Sequence, residues 1–259
     1  MHVLAVILIA CSGAAYCLAS LQRWRALARP AEESGRPTLM WAGFFLLSAA
    51  LVLALCDPSA RDFLYVVLGV WAGFSALLFA SRFIADPSRG LLVLPIGAAA
   101  LVVAMASIAA PPERLRSGSA ISLVHGGFMS VYLAALLVAG SAGVLYIISA
   151  RQLKSASPRA FRLPALPALD RLISRAVVVA TAALMAGVAT AGVAMQQAPG
   201  ARLTQPAILL GLVNLALLVL LLAARLGHRI GQRGQAAGAA WCLILGFIEL
   251  GWVLVARHG

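Results

Sequence analysis

Eight runs of apolar residues, at about 2–21, 39–56, 62–80, 91–110, 121–150, 171–195, 205–224 and 237–256, occupy most of this 259-residue chain. Each approaches the roughly 20 residues that carry a helix across the hydrocarbon of a bilayer. Lipid offers the backbone no hydrogen-bond partner, and a helix satisfies its own amides and carbonyls within one segment. The chain therefore reads as all-α, a polytopic integral membrane bundle of about eight transmembrane helices in a single domain, residues 1–259. The short connections leave no room for a soluble domain, and no tandem repeat interrupts the pattern.

Only 11% of the residues are charged, yet the formal net charge is +12. A basic excess of this size fits a nucleic-acid partner in a soluble protein. Here the basic residues are nearly all arginines at the ends of apolar runs, which is the positive-inside pattern. Fifteen of the 20 Lys and Arg residues follow the first, third, fifth and seventh runs or flank them on that side. Both termini are therefore expected outside the cytoplasm, with the lipid bilayer, not nucleic acid, as the partner. Trp24 within QRWRALARP suits the cytoplasmic interface, where a ring straddles the headgroups.

The four cysteines, Cys11, Cys17, Cys56 and Cys242, lie in apolar runs and form no CxxC, so neither a zinc site nor a thiol relay is indicated. Leu8-Ile9-Ala10-Cys11 has the look of a lipoprotein cleavage box, but MHVLAVI before it carries no Lys or Arg, as a secretory signal would. The first helix is expected to be retained.

The fifth run outlasts the bilayer, implying tilt or a cytoplasmic extension. Ser119 is placed to cap it. SASPRAFRLPALPALDRLISR then forms an interfacial hairpin into the sixth run, with Asp170 near that helix's N-terminus, where negative charge is favourable. Small residues along the sixth run, among them Ala183, Gly187 and Thr190, let helices approach closely.

The fifth run opens SLVHGGFMSVY. A histidine before two glycines at the mouth of a membrane helix admits three readings: a haem ligand, a helix-packing notch, or an ordinary interfacial histidine. Gly126 and Gly127 leave room for a flat macrocycle edge or for a neighbouring helix. By the topology above, His2, His125 and His258 share the outer face and His228 lies inside.

HGGFMSVYLAALLVAGSAGVLYIISARQLK, LPALPALDRLISR and GHRIGQRGQAAGAAWCLILGF together resemble the transmembrane cytochrome c assembly family, of the CcsA and HemX kind, over roughly residues 120–259. That resemblance implies a haem-handling protein of the bacterial inner membrane, acting with other membrane proteins of a cytochrome or haem pathway. His125 matches the family's outward-facing histidine. QQAPGARLT carries no tryptophan where haem-transfer members have a WWD loop, and Thr204-Gln205 stand where a second histidine is expected. The nearer resemblance is to the HemX-like branch, which lacks that loop.

His125 is accordingly the candidate metal ligand, for a haem iron. Met129, one turn below it, and Met195, at the outer end of the sixth helix, are thioether candidates, although methionine ordinarily fills gaps in apolar packing. Glu249 is an intramembrane carboxylate, costly unless it faces the bundle or pairs. It is a candidate partner for Arg202, Arg257 or His125, in a structural ion pair or in a proton-relay or ligand-orienting role. Asn214 reads as an interhelical hydrogen bonder.

No GxSxG, P-loop, HExxH or paired-carboxylate constellation appears, and catalysis has no visible carrier. The other reading is a non-catalytic membrane scaffold or accessory subunit with a degenerate haem site. A transporter finds little support, since no inverted halves or matching broken helices are visible.

Overall fold

Backbone self-sufficiency in an apolar chain predicts helices and nothing else, and the computed structural model has helices and the turns between them. It describes residues 2–28, 38–56, 61–80, 92–109, 120–155, 164–197 and 206–256. Among these are eight helices: α1 (His2–Ala28), α2 (Thr38–Cys56), α3 (Arg61–Ala80), α4 (Leu94–Ala109), α5 (Ala120–Lys154), α6 (Leu166–Gln197), α7 (Pro206–Leu226) and α8 (Gln232–Ala256). α1, α2 and α5 to α8 are long and apolar enough to cross a membrane, while the apolar cores of α3 and α4, Leu64–Leu78 and Leu94–Met105, are shorter. The protein is a polytopic helical membrane bundle.

Two helices begin earlier than hydropathy predicts. α6 starts at Leu166, not 171, and α8 at Gln232, not 237. Pro167 sits in the first turn of α6, where its missing amide costs nothing. At the start of α8, the exposed Gln232 accepts a hydrogen bond from Tyr146 and the buried Gln235 accepts one from Ser174.

α5 is the axis of the bundle. In its most apolar stretch 67% of residues are buried, against 22% in α2 and α7, which therefore present most of their surface to lipid. α5 packs on α6, α3 and α8, while α1 packs on α2 and α4. α5 and α8 run antiparallel, because Tyr132 meets Glu249, Gly140 meets Leu243 and Tyr146 meets Gln232.

Close approach along this seam depends on missing side chains. A Cβ on Gly140 would fall inside the Leu243 side chain, and one on Gly143 would lie 2.5 Å from the Ala236 carbonyl oxygen. Away from α5, Tyr16 is fully buried and stacks on Phe74 at 4.6 Å, with Gly43 making room for its ring. Ser12 donates to the Gly43 carbonyl at 2.8 Å and ties α1 to α2.

The α7–α8 turn closes by carbonyl capping: Gly227 N–H donates to Ala223 and Arg229 N–H to Ala224. His228, between them, adopts φ 54°, a left-handed cap position that glycine usually fills. At that end Arg225 pairs with Asp170 at 2.8 Å, joining α7 to α6.

Candidate functional site

His125 lies in the second turn of α5 and faces α6. Its Nδ1 is 2.9 Å from the Gly187 carbonyl oxygen. A carbonyl only accepts, so Nδ1 carries the proton, and in the neutral ring the lone pair is on Nε2. Thr190 closes around the same place: its Oγ1 is 3.4 Å from Nδ1 and donates to the carbonyls of Ala186 and Gly187, both at 2.9 Å. The ring is half-buried and held from one side.

The two glycines after it do different things. A Cβ on Gly126 would lie 2.6 Å from the Tyr65 ring, so this glycine is a notch into which α3 docks. Ser130 secures that contact, its Oγ 2.7 Å from the Tyr65 carbonyl and 2.8 Å from that of Gly126. Apart from its chain neighbours and the local helix backbone, nothing lies within 4 Å of where a Cβ on Gly127 would stand, so space is open there. Packing thus accounts for Gly126 and leaves Gly127 to another cause.

Met129 belongs to the α5–α6 seam. Its sulfur is 3.0 Å from where a Cβ of Gly187 would be, so the thioether rests on the glycine whose carbonyl receives His125. That is gap-filling, and Met129 supports the histidine's platform. Met195 falls in the last turn of α6, and its side chain lies outside the described residues, as do the side chains of His2 and His258, together with Ser119, Arg202 and Arg257.

Glu249 does not orient His125. It is buried, 7% exposed, on α8, and accepts a hydrogen bond from Tyr132 Oη through Oε2 at 3.3 Å. Tyr132 follows His125 by about two helical turns, so α8 meets α5 deeper in the bundle than the histidine while His125 turns to α6. Tyr132 Oη in turn accepts from Asn214 Nδ2 at 2.5 Å, and the same amide nitrogen lies 3.2 Å from the Cys242 carbonyl. Asn214 is the interhelical hydrogen bonder expected of it, joining α7 to both α5 and α8. Among the described residues its Oδ1 is buried without a partner.

Tyr132, Gly187 and Thr190 were not legible as site residues. For Tyr132 the available signal was a phenol seven residues beyond His125 in an otherwise apolar helix, since a buried tyrosine hydroxyl needs a partner. A carbonyl acceptor such as that of Gly187 leaves no trace in a side-chain sequence.

Among the described residues no three His, Cys, Asp or Glu side chains gather to hold a metal ion. The four cysteines are free and scattered over α1, α2 and α8. His125 Nε2 is thus a single candidate donor, while the open space at Gly127, two residues on, lies roughly 200° round α5 from it.

Fold and site define a polytopic helical membrane protein with one braced histidine near an end of its central helix. No family model, curated protein or solved structure matches the chain.

Proposed function

We propose that this chain is a haem-handling membrane protein of the cytochrome c assembly type, lying in a bacterial inner membrane with both termini on the non-cytoplasmic side. His125 is its haem contact. The observation that carries this reading is the His125 Nδ1 bond to the Gly187 carbonyl. A histidine that ligates a metal donates its other ring N–H to a carbonyl or carboxylate, which fixes the tautomer and aims the ring. Haem iron accepts a single axial imidazole and keeps its other axial position open. Glu249, Met129 and Met195 are not needed in this reading, and the α5–α6 seam does the positioning.

The test is to purify the protein from haem-replete cells and record its absorption. The wild type is expected to show a Soret band, and His125→Ala to lose it while keeping its melting temperature. Thr190→Val is expected to keep the band with a shifted maximum, because it alters the brace and spares the ligand. An absent band in the wild type, or an unchanged one in His125→Ala, removes the histidine from this role.

A second reading is a non-catalytic membrane scaffold or accessory subunit with a degenerate haem site, favoured by the missing WWD loop in QQAPGARLT and by Thr204-Gln205 where a second histidine is expected. Isolation in mild detergent separates the two, since a scaffold brings down stoichiometric partners without pigment.

A further inference from the structure

A cavity of about 210 Å³ opens between α1, α4 and α5, at the end of the bundle away from His125. Its walls include Leu21, Trp24, Leu94, Val144, Leu145 and Ile148. Two serines also line it, and neither asks for a ligand: Ser141 donates to the Leu137 carbonyl, and Ser20 has a partner of its own. The occupant this wall suits is hydrocarbon. Leu21, Trp24, Leu94 and Val144 are each 42–50% exposed, so the cavity opens sideways to the outside of the bundle, where acyl chains are.

Basic residues follow the lining positions on α5 and neighbour them on α1. On α5 the lining positions 141, 144, 145 and 148 continue one turn on to Arg151 along the same helix face. Arg23 and Arg25 flank Trp24 on α1. Asp170–Arg225 is the ion pair among the described residues, and Arg23, Arg25, Arg151 and Lys154 form none there. An apolar trough with guanidinium groups near its end that pair with no acidic group among the described residues matches an amphiphile with a hydrocarbon tail and an anionic head. An arginine fork binds phosphate oxygens in a way a neutral headgroup does not reward.

We propose that the α1–α4–α5 cavity binds one anionic phospholipid, an acyl chain seated against Trp24 and Ile148 and the phosphate held by Arg151 with Arg23 or Arg25. The site is independent of the haem reading and of which way the protein faces.

Trp24 supplies the readout. The purified full-length protein is placed in vesicles of phosphatidylcholine carrying a fixed fraction of either brominated phosphatidylglycerol or brominated phosphatidylcholine, since bromine on the acyl chain quenches a neighbouring indole. Stronger quenching by the glycerol lipid is expected, and Trp24→Phe should abolish the excess. Arg151→Gln should lower the preference for the anionic lipid on the order of fivefold, as loss of one basic residue near a charged headgroup does. Val144→Phe, which narrows the trough without adding an indole, should abolish it with Arg151 intact. Equal quenching by the two lipids, or an excess that survives Trp24→Phe, overturns the proposal and leaves only ordinary boundary lipid.

Discussion

Tyr132 uses its hydroxyl both ways, accepting from Asn214 at 2.5 Å and donating to Glu249 at 3.3 Å. Three helices thereby meet at one oxygen, and the groups on either side are themselves buried, Asn214 completely and Glu249 to 7% exposure. Removing that oxygen takes from Glu249 its phenol donor and leaves Asn214 Nδ2 only the Cys242 carbonyl, and a buried polar group left without its partner costs roughly 1–3 kcal/mol. Tyr132→Phe is therefore expected to destabilise the bundle by about that much in detergent unfolding. Glu249→Gln keeps an acceptor for the phenol and removes the charge, so it should cost less or nothing. In a double-mutant cycle Tyr132→Phe with Asn214→Leu should couple by at least ~0.6 kcal/mol, the usual size of an intramembrane hydrogen bond. Independent effects would show that the contact carries no energy. The sequence marks Glu249 and Asn214 as anomalies in apolar helices, because polar atoms there stand out by composition. Their shared partner, 117 residues from Glu249, is set by packing and leaves no local sign.

At the scale of helices, glycines divide into those that are filled and those that are not. Gly143 faces the Ala236 carbonyl oxygen, a backbone atom that cannot swing aside, with 2.5 Å available to a Cβ. Gly143→Ala should push α8 off α5 and cost about 1–3 kcal/mol, the range for overpacking a tight core. Gly127 meets nothing within 4 Å, so Gly127→Ala should leave stability unchanged or raise it by up to ~1 kcal/mol through helix propensity. Thermal unfolding of the two variants checks the contrast, and a Gly127→Ala as damaging as Gly143→Ala would mean that the space at Gly127 is closed. Both glycines look the same in sequence, and so do Gly126 and Gly127, because a glycine's role depends on which helix lies across from it. Hydropathy finds the helices well but measures the bilayer crossing, not the helix, so it places the starts of α6 and α8 about a turn late. LPALDR and QRGQA are helical and amphipathic, and they anchor helices to one another through Asp170, Gln232 and Gln235.

Charge is distributed at the scale of the whole molecule. The C-terminal ends of α1, α5 and α7 carry Arg25, Arg151, Lys154 and Arg225, and the starts of α6 and α8 bring Arg171, Arg175 and Arg233 to the same end. That convergence follows from the antiparallel pairing of α5 with α8 and from the Asp170–Arg225 bridge, which joins the ends of α6 and α7. His125, at the start of α5, is at the opposite end. Cationic segments resist transfer across the bilayer, so the arginine-rich end is expected in the cytoplasm. Labelling in a background with all four cysteines replaced tests this orientation. Gly231→Cys sits in the exposed α7–α8 turn with nothing within 4 Å of its Cβ, and an impermeant maleimide should reach it only in inside-out vesicles. Ile121→Cys, in the first turn of α5, should label only from the outer side of spheroplasts. The reverse pattern would put His125 on the cytosolic side and end the haem reading. It would leave the lipid trough untouched, because the trough depends on hydrocarbon and phosphate at one end of the bundle and not on which compartment that end faces.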